Sequence, residues 1–257
     1  MIGYFLKSSC GNDSVALIQW AKDARLRNVH VIYSDTGWAS PDWERRIQTV
    51  EVICGLYGFE FSRIASMGFR ALVKKKQSFP RQGIQFCTEE LKIKPSQAFM
   101  DTIDPDRQYS VLVGKRREES ANRKDTPEFV AASDIDMGRH LWHPLFNKLE
   151  VERDALIAKT GMKILTHRSK ECFPCVNSNR ADILNLAKSP DRITEIAVLE
   201  NEMGITSNGK PRTFFRPYRY MGATGINEVV RWAEAGYGKF SLDDGTGNEC
   251  HSGVCGI

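Results

Sequence analysis

Ser8-Ser9-Cys10-Gly11-Asn12-Asp13-Ser14 is the stretch that decides the fold. It follows the apolar run Ile2 to Leu6 and leads into Val15-Ala16-Leu17-Ile18. An apolar run closed by a polar turn predicts a buried strand, and Leu17, Ile18, Ala21 and Ala24 share one face of a helix behind it. The turn between them is short and built of small residues. Such a strand-to-helix turn leaves backbone N–H groups unpaired at the helix N-terminus, where phosphate binds well. Gly11 permits close approach of an anion, and Ser9, Asn12 and Ser14 supply side-chain hydrogen bonds. The same residues also fit an ordinary connection in which Asp13 or Ser14 merely caps the helix.

Outward from this loop the pattern repeats. A second apolar run, Val29 to Tyr33, ends at Ser34-Asp35-Thr36-Gly37, and Pro41 opens a helical segment through about Leu56. Phe59 to Ile64 predicts a third strand, and Tyr109 to Val113 a fourth that ends at Gly114. Strands alternating with helices imply parallel pairing and right-handed crossovers, hence an α/β fold with a doubly wound, mostly parallel sheet. Ligands sit beyond the carboxyl ends of such strands, so the Ser9–Ser14 loop, Asp35-Thr36 and the segment from Gly114 converge on one crevice. From about residue 150 the pattern turns mostly helical. The expected division is a nucleotide-binding domain over 1–150 and a helical, cysteine-bearing segment over 151–257, with an irregular tail from Gly236.

Composition narrows the function class. The chain of 257 residues is 41% apolar and 26% charged, ordinary for a globular protein. No apolar run reaches the roughly 18 residues of a membrane span, and no secretory signal precedes the first strand. Seven cysteines without an export signal point to the cytoplasm and to metal or redox chemistry rather than structural disulfides. The net charge of +4 is modest but uneven. Arg63, Arg70, Lys74, Lys75, Lys76, Arg81, Lys92 and Lys94 face only Glu89 and Glu90 within their own stretch. Lys210-Pro211-Arg212-Thr213-Phe214-Phe215-Arg216-Pro217-Tyr218-Arg219-Tyr220 interleaves cations with aromatics and contains no acid. Cations neutralise phosphates and aromatic faces stack on exposed bases, so this stretch is either a nucleic-acid contact or a solvated loop with its aromatics in the core.

The loop Ser9-Cys10-Gly11-Asn12-Asp13-Ser14 resembles the Ser-Gly-Gly-x-Asp-Ser loop of the ATP pyrophosphatase, or adenine nucleotide alpha-hydrolase, superfamily, with Cys10 in place of the first glycine. Gly114-Lys115-Arg116-Arg117-Glu118-Glu119-Ser120-Ala121-Asn122-Arg123 is similar to the Gly-x-Arg-x-x-Glu-Ser-x-x-Arg pattern of the phosphoadenosine phosphosulfate (PAPS) reductase-like branch. The resemblance spans roughly residues 1–190. It implies a sheet of about five parallel strands and a site for ATP with Mg²⁺ formed by Ser9 to Ser14, Asp35, Thr36, Gly114, Arg116, Glu119 and Ser120. Arginine suits bidentate phosphate contacts, and Arg116 and Arg123 are the expected partners of the phosphates or the acceptor.

Cys172-Phe173-Pro174-Cys175 is a C-x-x-C, the spacing of a metal or redox pair. Phe86-Cys87-Thr88-Glu89-Glu90-Leu91-Lys92 resembles the Cys-Cys-x-x-x-Lys region of assimilatory adenylylsulfate reductases, with Phe86 replacing the first cysteine. The resemblance implies a 4Fe-4S cluster on Cys87, Cys172 and Cys175, with zinc or no metal as alternatives. Glu249-Cys250 matches part of the mobile C-terminal motif of PAPS reductases, which makes Cys250 a candidate reactive thiol, followed by His251 and Cys255. Cys54 is expected in the core, and His140 and His143 are expected to pack beside Trp142.

The combined expectation is an ATP-dependent sulfurtransferase. ATP would be cleaved to AMP and pyrophosphate to activate an acceptor, as in DNA phosphorothioation, with sulfur from a donor such as a cysteine desulfurase and Asp13, Arg116, Arg123 and Cys250 as the reacting constellation. Reduction of a sulfonucleotide to sulfite, transfer RNA thiolation, and a non-enzymatic nucleotide or nucleic-acid sensor are the alternatives.

Overall fold

The computed structural model describes residues 3–81, 83–134, 138–217 and 223–235. Tyr218, Arg219, Tyr220, Cys250, His251 and Cys255 lie outside the described residues. Six strands form one sheet: β1 (Tyr4–Ser8), β2 (Val29–Asp35), β3 (Glu60–Ala65), β4 (Ser110–Val113), β5 (Phe129–Val130) and β6 (Leu141–Trp142). Their order is β3-β2-β1-β4-β6-β5. Every neighbouring pair is parallel except β5 with β6. The five parallel strands are the expected core. The two-residue antiparallel edge strand β5 is too short to carry a period and was not foreseen.

The central strands are apolar because both faces of the sheet are covered. Successive side chains alternate between two cores. Leu6, Val31, Tyr33 and Leu112 pack against α1 (Asn12–Asp23), α2 (Trp43–Tyr57) and, further along the chain, Ile157. Phe5, Ile32, Val111 and Val113 face the other way, toward Met100 and Phe99. Those two belong to a helical run made of α4 (Phe86–Thr88), a π-helical turn (Glu89–Ile93) and α5 (Lys94–Ile103). Helices on both faces of a parallel sheet are the doubly wound arrangement that the sequence predicts.

The later helices divide between two cores. α6 (Glu150–Lys159) lies along α1, with Ile157 fully buried against the sheet. Lys159 near its end pairs with Asp23 at the end of α1 (2.7 Å), so the two helices run side by side in the same direction. α7 (Arg180–Leu186), α8 (Pro190–Met203) and α9 (Ile226–Ala235) form a separate core with Trp38 and with α3 (Phe69–Lys76). Phe214 and Phe215 are each 3% exposed and join the rings of Trp38, Phe69 and Phe79 in that core. The Glu200 carboxylate fixes their backbone by accepting the N–H groups of Phe214 (2.8 Å) and Ile226 (2.9 Å). Phe214 and Phe215 are therefore core anchors, as the second of the two readings of this stretch has them. Arg212 likewise turns inward and donates to the carbonyls of Met203 and Ile205.

Candidate functional site

The loop after β1 owes its shape to one strained residue. Cys10 has φ +59°, the left-handed region that costs a residue with a side chain roughly 1–2 kcal/mol and a glycine almost nothing. Cys10 stands where the resembling loop has glycine, so the backbone keeps a glycine conformation with a thiol built onto it. That thiol is fully buried, and burial pushes its pKa well up despite a contact with Ser8 Oγ. The N–H of Cys10 donates to Ser8 Oγ (3.1 Å) and that of Gly11 to Ser9 Oγ (3.3 Å). The loop's carbonyls are taken by α2, where Trp43 Nε1 donates to Ser9 O (3.1 Å) and Arg46 Nε to Cys10 O (2.6 Å). Gly11 is the N-cap of α1, with no side chain capping it. Neither Asp13 nor Ser14 is the cap; the Ser14 hydroxyl donates to Gly11 O (3.1 Å).

Asp13 and Arg116, 103 residues apart, meet here: Arg116 Nε donates to Asp13 Oδ1 at 2.5 Å. Arg116 is 3% exposed and also donates to Glu118 Oε2 (2.9 Å), while its own N–H is held by Glu119 Oε2 (2.9 Å). Arg123 pairs with the same Glu119 carboxylate. Burial raises the Glu119 pKa, opposed by Arg123 and reinforced by Asp13. The Ser120 hydroxyl is shut from solvent and has no partner among the described residues. Gly114 allows the approach, because a Cβ there would lie 2.8 Å from the carbonyl oxygen of Asp13. The end of β4 thus lies against the backbone of the first turn of α1, which is what convergence on one crevice requires.

The end of β2 forms the third wall. Asp35 accepts from the Gly37 N–H (2.8 Å) and from Arg63 Nη2 (2.7 Å), and Arg63 also bridges to Glu44 (2.8 Å). Thr36 Oγ1 accepts the Trp38 N–H (3.3 Å) and donates to Glu171 O (3.5 Å). His143, after β6, is buried beside the Gly114–Arg123 segment, its ring nitrogen at 2.8 Å from Pro127 O.

The Glu171 contact introduces a segment that the sequence reading passed over. Residues 163–171 cross the phosphate-type loop and run directly into Cys172. The Asn12 side chain pairs with the Leu165 backbone in both directions (2.9 and 3.0 Å), so its amide is committed to this strap. A Cβ on Gly11 would lie 3.3 Å from Ser169 Cβ. Ser40 N–H donates to Lys170 O (2.9 Å), and Arg46 Nη1 donates to Lys163 O (3.1 Å). Arg46 was missed too. It has no motif signal in α2, yet it touches loop and strap at once, and its Nη2 is buried without a partner among the described residues.

The strap delivers the C-x-x-C to Cys87. Cys87, Cys172 and Cys175 are half-buried and free, with Cys87 and Cys172 packed against the same core. Burial pushes the Cys87 thiol up to about 11, with Cys175 adding to the rise, and Cys172 and Cys175 rise as well. Lys92 opposes all three increases. Lys92 itself is held by Glu171 at 2.8 Å, a buried ion pair between the cysteines and the crevice. Among the described residues no three Cys, His, Asp or Glu side chains are placed to hold one metal ion.

A family model described as the phosphoadenosine phosphosulfate reductase domain matches residues 3–178. No curated protein matches the chain. Among solved structures, a phosphoadenylyl-sulfate (PAPS) reductase from Candida auris in a phosphate complex is 15% identical, covering 64% of this chain and 75% of that one with a TM-score of 0.46. An NH3-dependent NAD synthetase from Campylobacter jejuni is also 15% identical, covering 78% and 83% with a TM-score of 0.41.

Proposed function

The chain belongs to the phosphoadenosine phosphosulfate reductase domain family, and from that premise we propose that it is an ATP-dependent sulfurtransferase. An oxygen of the acceptor attacks the α-phosphorus of ATP, pyrophosphate leaves, and sulfur then displaces AMP from the activated acceptor. The acceptor is a nucleic-acid phosphate, as in DNA phosphorothioation, and the sulfur comes from a donor such as a cysteine desulfurase.

The Asp13–Arg116 pair carries this reading. A carboxylate beside an anion-binding helix end repels a bare anion. It suits a polyphosphate that arrives with Mg²⁺, which is bound through carboxylates and phosphate oxygens together. Arg116 then stabilises charge on the departing pyrophosphate, and Arg123, held by Glu119, stands behind it. Ser9, Ser14 and Ser120 contribute hydroxyls, and the first-turn N–H groups of α1 contribute dipoles.

The three thiols fit a thiolate-held group by donor chemistry. Their raised pKa values make them poor nucleophiles as they stand, whereas metal binding removes such protons. In a 4Fe-4S cluster each thiolate holds a different iron, so the ligands need not crowd around one point. Such a cluster would supply an iron open to sulfide. Replacing Cys87, Cys172 or Cys175 with Ser is expected to strip iron and sulfide from anaerobically purified protein, while Cys54→Ser is not; stoichiometric zinc would defeat the assignment.

A second reading, reduction of a preformed sulfonucleotide to sulfite, is favoured by the description of the family itself. It needs a nucleophilic cysteine, for which Cys250 is the candidate. Product analysis separates the two. Pyrophosphate and AMP from ATP support the sulfurtransferase; sulfite from a sulfonucleotide, with ATP untouched, replaces it.

A further inference from the structure

Three stretches of this chain are rich in cations, and among the described residues the one beside the crevice is the strap over residues 163–170. In the stretch from Arg63 to Lys94, acids from elsewhere neutralise most of the charge. Arg63 meets Asp35 and Glu44, Arg70 meets Glu195 and Glu202, Lys74 meets Glu202, Lys76 and Lys94 meet Glu90, and Lys92 meets Glu171. In the stretch from Lys210, Arg212 turns inward and two aromatics are core, while Lys210 and Arg216 are exposed. The strap over residues 163–170 differs. Its sequence Lys-Ile-Leu-Thr-His-Arg-Ser-Lys contains no acid. Lys163, Thr166, His167 and Arg168 are exposed. No carboxylate among the described residues pairs with Lys163 or His167, whereas Lys170 pairs with Asp42 (2.9 Å).

The backbone of this strap is fixed, and Ile164 and Leu165 pack against the core while Lys163, Thr166, His167 and Arg168 are exposed. Leu165 is bonded to Asn12, Lys163 O accepts from Arg46, and Lys170 O accepts from Ser40. Arg168 Nη1 donates to Asn177 O (3.1 Å), which ties the strap to the far side of the C-x-x-C. A cationic surface held this way costs little ordering entropy when a ligand docks on it. Its location is equally specific. It spans the path from the phosphate-type loop at Gly11 to Cys172, the path an acceptor must occupy if it is activated at one end and receives sulfur at the other.

We infer that residues 163–170 are the docking surface for the sugar-phosphate backbone of a nucleic-acid acceptor. The inference rests on the sulfurtransferase reading for its orientation, and on charge and position for its chemistry. The six residues from Lys163 to Arg168 span at most about 18 Å, room for about two to three phosphates of one strand. Ser169, against Gly11, marks the end nearest the activating site. Sequence is not read here, because backbone contacts position a nucleic acid without distinguishing its bases.

The test measures anisotropy of labelled 20-nucleotide single- and double-stranded DNA and RNA over a salt series. The proteins are wild type, the triple variant Lys163→Glu/His167→Ala/Arg168→Glu, and Lys163→Glu alone. The single variant guards against loss of fold, since among the described residues Lys163 bonds through its backbone carbonyl and not its side chain. The triple variant should bind at least tenfold more weakly, with a salt slope shallower by about one unit per lost phosphate contact. Lys163→Glu should lower both in the same sense, and the α3 variant Lys75→Glu should change neither. Equal affinity and slope in wild type and both strap variants overturns the inference, as does an equal loss in Lys75→Glu. Pyrophosphate release is scored separately on wild type. Release from ATP without any nucleic-acid binding sinks the docking surface and spares the sulfurtransferase; binding through the strap without release does the opposite.

Discussion

Helix α3 and the 163–170 strap are both dense in lysine and arginine, and they finish in opposite electrostatic states. Arg70 and Lys74 of α3 lie against α8, where Glu195 and Glu202 wait 3.0 to 3.8 Å away, and Lys76 meets Glu90. The strap lies across the Ser9–Ser14 loop, where its backbone is bonded and, among the described residues, no carboxylate pairs with Lys163. A run of charge in a sequence is therefore not a patch on a surface. Neutralisation is decided by contacts more than a hundred residues distant, and only the folded chain shows which cations remain available.

The largest effect that sharpens this contrast is expected at the buried ion pair. Arg116 is almost wholly enclosed, and its fork serves Asp13, Glu118 and the Lys148 carbonyl together. Lysine keeps the charge but not the fork. Arg116→Lys should cut pyrophosphate release from ATP on the order of 100-fold with a cooperative melt retained, and Asp13→Asn should do the same. Turnover near the wild-type rate in both variants would mean that this pair only braces the fold.

Lys7 shows a third fate of a cation, burial on the α5 side of the sheet. It is 1% exposed, and burial lowers its pKa to about 8, partly opposed by Glu89. The folded value lies below the unfolded 10.5, so between about pH 8 and 10.5 the unfolded chain holds the extra proton. Stability should climb as pH rises through that window. Lys7→Met should flatten the climb and raise stability at pH 7 by up to about 3 kcal/mol. Denaturant melts at pH 7 and pH 10 check this; a variant that keeps the wild-type climb would assign it to another group.

How much of this was legible beforehand follows from the range of each interaction. β1, β2 and β4 were readable because each is an apolar run closed by a polar turn, a signal contained in fewer than ten residues. The meeting of Ser9–Ser14 with Gly114–Arg123 was readable through topology, since parallel strands put their ends on one side. Cys10 in a glycine conformation was readable only through the resemblance, as its spacing carries no sign of a positive φ. Arg46 and the strap were not readable. Arg46 sits in an ordinary helical pattern, and the strap's bonds to Asn12, Gly11 and Ser40 join residues more than 120 positions apart. Phe214 and Phe215 stayed open between two readings for the converse reason: cation–aromatic alternation looks the same whether the rings turn in or out.

Gly114→Ala gives a smaller, steric effect where the end of β4 meets the first turn of α1. The added methyl would sit 2.8 Å from backbone oxygen rather than from a flexible side chain. One of the two segments must shift, at a cost of about 1–3 kcal/mol. A thermal melt should fall accordingly, and nucleotide affinity should fall with it because Asp13 moves. Lost stability with intact affinity would separate the backbone contact from the binding site.

The smallest expected effect is the one that most directly threatens the comparison. Lys74 is half exposed and pairs with Glu202 at 3.0 Å, a surface ion pair of the kind that contributes about 0–1 kcal/mol. Arg70 shares the same acid at 3.8 Å, so Glu202 stays partly neutralised when Lys74 is removed. Lys74→Ala should therefore leave the melt within about 1 kcal/mol of wild type, a difference that shrinks further in high salt. It should also leave nucleic-acid affinity and salt slope unchanged, because the lost charge was already balanced. A fall in affinity comparable to that of Lys163→Glu would show that the α3 cations reach the ligand despite their partners. The opposition between a neutralised helix and an available strap would then be lost.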